Sequence, residues 1–116
     1  MGKSLVSISQ KGEVVVLHLH EKRFYQHAVP ELEDKVRMLI EQSRTKFCVD
    51  LSGVEVMNSS AIGILILLAD YVKRAEGKMV VTGFNDLLED LFKRMRLDTL
   101  FPLIRDQKKG IAVLNE

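Results

Sequence analysis

Residues 47–66 read FCVDLSGVEVMNSSAIGILI. A run of buried-strand character, Phe47, Cys48, Val49 and Leu51, passes through a polar corner into a strongly apolar helical pattern. Two adjacent hydroxyls, Ser59 and Ser60, stand at that corner. The unpaired N–H groups and positive dipole end of a helix start favour negative charge, so a phosphate there would be well received. The plainer reading of the same physics is that these serines are caps.

Outward from this stretch, the chain alternates strand and helix signals. Upstream, Leu5, Val6 and Ile8, then Lys11-Gly12, then Val14 to Leu17 and Leu19 predict a hairpin. Pro30 opens a helix to Gln42, with Leu32, Val36, Leu39 and Ile40 at helical spacing and Glu31, Glu33 and Asp34 near its start. Downstream, a helix is expected from Ser60 to Glu76, with Gly77 as its left-handed stop. Lys78 to Thr82 is a strand and Asn85 to Arg94 a helix. Leu100 to Ile104 is a last strand made irregular by Pro102, and a final helix follows from Gln107 across Gly110. The alternation predicts an α/β fold, a mixed and mostly parallel sheet with right-handed crossovers and covering helices.

The 116 residues, 47% of them apolar, suit one domain, expected over 1–116. With 17 basic against 16 acidic residues, no overall field draws the chain to nucleic acid or an anionic membrane, so recognition is local. Cys48 is the sole cysteine, which excludes an internal disulfide and fits a reducing compartment. No apolar run is long enough for a signal peptide or membrane span, so a cytoplasmic protein without membrane insertion is expected. Met1-Gly2-Lys3-Ser4 does not make a myristoylation signal.

His18, His20 and His27 lack the cysteine or carboxylate cluster that would complete a metal site; no metal or cofactor is expected, and His18 and His20 read as a solvent-facing strand pair. The Gly-x-Ser-x-Gly elbow and glycine-rich phosphate loops are absent, which argues against hydrolase and nucleotidase chemistry. Lys93-Arg94-Met95-Arg96 reads as charge compensation at a helix end.

The segment DLSGVEVMNSSAIGILILL resembles the signature of STAS domains, the family of bacterial anti-sigma factor antagonists. Asp50, Leu51 and Ser52 fit its strand end, Ser59 and Ser60 its serine pair, Ile62 its apolar position and Gly63 its second glycine. Leu97-Asp98-Thr99-Leu100-Phe101 looks like the family's Leu-x-x-x-Phe segment. The resemblance implies a single STAS-like domain with a sheet of four to five strands, in the order β-β-α-β-α-β-α-β and a final α. It departs from the pattern at Asn58, usually Asp, at Ala61, usually Gly, and at Glu21-Lys22-Arg23-Phe24, where Gly-x-x-Asp is usual.

The resemblance also implies a function without catalysis. The unphosphorylated protein would bind an anti-sigma factor that is itself a serine kinase; phosphorylation of Ser60, with Ser59 the second candidate, would end binding, and a serine phosphatase would restore it. The implied interface comprises Asn58, Ser59, Ser60 and Ala61. The rival is a constitutive scaffold subunit of a stressosome or transporter, which the loss of acidic positions favours. An enzyme using Ser60 as nucleophile, with upstream histidines and Asp50, is the contrasting class. Self-association is left open.

Overall fold

The computed structural model describes residues 4–116. Met1, Gly2 and Lys3, where an acylation signal would begin, lie outside them. Strands β1 (Val6–Lys11) and β2 (Val14–Leu19) pair antiparallel, and Gly12 at φ +63° supplies the left-handed residue of their turn. Strands β4 (Lys46–Asp50) and β6 (Lys78–Thr82) add in parallel, giving one sheet of order β1-β2-β4-β6. Two short strands elsewhere in the chain, β3 (Arg23–Phe24) and β5 (Val56–Met57), pair with each other in parallel.

Helices α1 (Val29–Glu41) and α2 (Ser59–Arg74) pack on one face of the sheet, over Val15, Leu17, Phe47, Val49 and Val81. Helix α4 (Gln107–Leu114) covers part of the other, where Val14, Val16, Cys48 and Val80 meet Leu114. Burial on both faces explains the continuous apolar run of residues 14–17 within β2. The thiol of Cys48 is pushed up by this burial, which outweighs its contact with the Thr82 hydroxyl at 3.4 Å, so it behaves as a packed apolar group. Helix α3 (Asp86–Arg94) adds Leu88 and Phe92 to the larger core, the Phe92 ring edge-on to Phe84.

The expected order of elements is present, with three corrections. The left-handed residue after α2 is Glu76 at φ 60°, not Gly77. Gly77 is needed for space, because a Cβ there would lie 2.2 Å from the Thr45 carbonyl oxygen. The expected strand Leu100–Ile104 is reduced to one bridge, Leu103 beside Val81; the Val81 N–H donates to Pro102 O at 3.1 Å and the Ile104 N–H to Val81 O at 3.0 Å. The connection read through Val54, Val56 and Met57 contains β5, whose pairing to β3 fixes the approach to the serine corner.

Candidate functional site

The corner is built by Asn58. Its backbone is extended (φ −94°, ψ 178°), and its side-chain oxygen accepts from the Ala61 N–H at 3.0 Å, the N-cap geometry that satisfies one otherwise unpaired helix donor. Its side-chain N–H donates to Gln26 Oε1, tying α2 to the short 3-10 turn Gln26–Ala28 that precedes α1. The capping role considered for the serines therefore falls to Asn58. Ser59 and Ser60 occupy the first two helical positions, both exposed, and among the described residues neither hydroxyl makes a hydrogen bond. They stand where the first-turn N–H groups and the dipole's positive end face solvent.

Ala61 is different. It is fully buried against the core, so its side chain offers no contact surface. Phe24 is likewise fully buried and belongs to the core.

The outer face of α2 continues the corner. Gly63, Ile66 and Leu67 are exposed at the three- and four-residue spacing that stacks them above Ser59 and Ser60, with Ile66 and Leu67 at 38% and 37% accessibility. A Cβ built on Gly63 would meet nothing within 4 Å. A mid-helix glycine costs about 0.5–1 kcal/mol relative to alanine, and among the described residues no neighbour requires it. The motif marks Gly63 in the sequence, but this consequence becomes visible only when the helix face is known to be open.

A second helix start is tied to the same region. Asn85 caps α3, its oxygen accepting from the Leu88 N–H at 2.8 Å, while its side-chain N–H donates to the Glu55 carbonyl at 3.0 Å. This anchors α3 to the segment leading into the corner, with Leu87 exposed on its first turn.

The other candidates are placed elsewhere. His18 and His20 bond to Ser9 and Ser7, and His27 to Glu21, so among the described residues no histidine is bonded to Ser59 or Ser60. His18 is also only partly solvent-facing, because its Nδ1 lies 2.8 Å from buried Asp50. Lys93 and Arg94 pair with Glu89 and Asp90 one turn back, consistent with a compensated helix end.

The fold is thus an α/β domain with helices on both sheet faces, and the capped start of α2 displays two exposed hydroxyls that make no hydrogen bond among the described residues. The chain belongs to the STAS domain family, whose model matches residues 6–109. Among curated proteins, none matches the sequence significantly. Solved structures share the fold. An anti-sigma factor antagonist from Mycobacterium paratuberculosis superposes with a TM-score of 0.84 at 19% identity, covering 96% of this chain and 93% of that one. The Bacillus cell fate determinant SpoIIAA in its phosphorylated form gives 0.73 at 17% identity, covering 93% and 97%. A singly substituted variant of RsbS from Moorella thermoacetica gives 0.80 at 19% identity, covering 95% and 94%. Among the described residues no helix is long and apolar enough to cross a membrane.

Proposed function

We propose that this protein is a cytoplasmic anti-sigma factor antagonist, which binds an anti-sigma factor with serine kinase activity through the start and outer face of α2 and is released by phosphorylation of Ser60. The observation that carries the reading is the free Ser60 hydroxyl at a helix start capped by another residue, contiguous with an exposed apolar stripe. A phosphate adds about −1.5 to −2 charges, which the helix end tolerates but a close apolar interface does not. The bare backbone at Gly63 gives the partner room to approach α2 closely. Ser59 is the second acceptor, and a serine phosphatase resets the switch. Binding of the cognate anti-sigma factor tests this: Ser60→Ala retains it and Ser60→Asp weakens it, whereas equal affinity for both removes the switch.

A second reading is a constitutive STAS scaffold subunit. It is favoured by the neutral Asn58 and buried Phe24, which leave the corner without the carboxylates usual in the family. A single large native assembly containing only unmodified protein would select it.

A further inference from the structure

On the sheet face opposite α2, the side chains of Ser9, His18 and Asp50 form a continuous hydrogen-bonded chain that the serine corner does not use. Strand alternation puts all three on the α4 side, in register with Val16, Cys48 and their neighbours. Asp50 is 6% exposed; one carboxylate oxygen accepts from the Ser52 N–H at 2.9 Å and the other lies 2.8 Å from His18 Nδ1. Gly83 leaves room for it, since a Cβ there would fall 2.6 Å from the first of these oxygens. Nε2 of His18 lies 2.8 Å from the Ser9 hydroxyl. A carboxylate only accepts, so the Asp50 contact places a proton on His18 Nδ1, and in the neutral imidazole Nε2 is then the nitrogen that accepts from the Ser9 hydroxyl.

These are the relations of nucleophile, base and orienting acid, recognised by geometry rather than by sequence order. Helix α4 covers only part of this face, leaving a groove of about 430 Å³ lined by Ser9, His18, Lys11, Gln107, Lys108 and Ile111. Its walls combine the two lysines and the Gln107 amide with the apolar side chain of Ile111.

We propose that Ser9, His18 and Asp50 form an acyl-transfer site for small carboxylic esters. The Ser9 oxygen adds to the ester carbonyl carbon as His18 Nε2 takes the hydroxyl proton. The carbon–oxygen bond to the alcohol then breaks, and His18 returns the proton to the leaving alkoxide. Water, deprotonated by His18, adds to the acyl–Ser9 carbonyl; the carboxylic acid leaves and the proton restores the Ser9 hydroxyl. Ser7 and His20 supply an internal control: they repeat the hydroxyl–imidazole contact at 2.6 Å, and no carboxylate bonds to His20 among the described residues.

The test is labelling of the intact protein with a serine-reactive fluorophosphonate, located by peptide mass mapping, together with hydrolysis of p-nitrophenyl acetate. Label on Ser9 is expected, lost in Ser9→Ala and His18→Gln, sharply reduced in Asp50→Asn and unchanged in Ser7→Ala, with ester turnover falling to the uncatalysed rate in the first two. Circular dichroism confirms that each variant is folded. Absence of label on the native protein, or label and turnover indifferent to Ser9→Ala, overturns the proposal.

Discussion

Asn58 turns its side-chain oxygen back to the Ala61 N–H at 3.0 Å while its amide N–H reaches Gln26, so one residue both starts α2 and ties it to the turn before α1. The cap is what frees the two serines, since an Asn at this position satisfies the donor a serine would otherwise take. Asn58→Ala should destabilise the domain by about 1 kcal/mol, within the range for lost caps. Asn58→Asp keeps the cap, and the exposed Gln26 amide can turn to donate to the new carboxylate, so it should lie near the native protein in urea melts; a native-like midpoint for Asn58→Ala would contradict this role.

Gly63 should show stability and binding moving in opposite directions. With open space above it, Gly63→Ala is expected to stabilise the domain by about 0.5–1 kcal/mol. The added methyl stands on the proposed contact face and should weaken partner binding. Thermal melts paired with calorimetric titration of the partner check both signs.

Gly110 shows the reverse case. A Cβ there would lie 2.6 Å from Thr82 Cγ2 and 3.3 Å from Val80 Cγ2, both in the buried floor under α4. Gly110→Ala should therefore destabilise by about 1–3 kcal/mol, the range for overpacking, despite alanine's better helix propensity. A rise in melting temperature would disprove the close packing of α4.

Glu31 clamps the start of β1, accepting from the Leu5 and Val6 N–H groups at 3.0 Å each, from the Ser4 hydroxyl and from Lys35 at 2.8 Å. Burial pushes its carboxyl up, but these bonds together outweigh burial and hold it down at about 2. A carboxyl depressed on folding stabilises the domain fully above its ordinary value of 4.5, and the contribution is lost as pH falls towards about 2. Glu31→Gln should thus lower stability at neutral pH and flatten its decline over that acid range, measured by urea unfolding at a series of pH values.

How far the sequence carries these features depends on how local they are. Lys78–Thr82 stands within its expected bounds, because a short apolar run between Gly77 and Gly83 permits little else. Helix α2 begins at Ser59 and ends at Arg74, against Ser60 and Glu76 expected, a shift set at its start by the Asn58 cap. Backbone propensity is all that the sequence offers for Gly77 and Gly110, whereas both answer to close approach by residues distant in sequence, Thr45 and Thr82. The two-residue pair β3–β5 is too short to give a period. The serine corner is legible because capping and motif lie within a few residues. The Ser9–His18–Asp50 chain is not, since it joins three strands, and the reading that links Asp50 with upstream histidines assigns them to Ser60 instead.

Intact mass and phosphosite mapping of the protein from its native cells, resting and stressed, is the most direct test of the switch. A phosphate on Ser60 whose occupancy changes with stress is the predicted result. One unmodified mass in both states would contradict it.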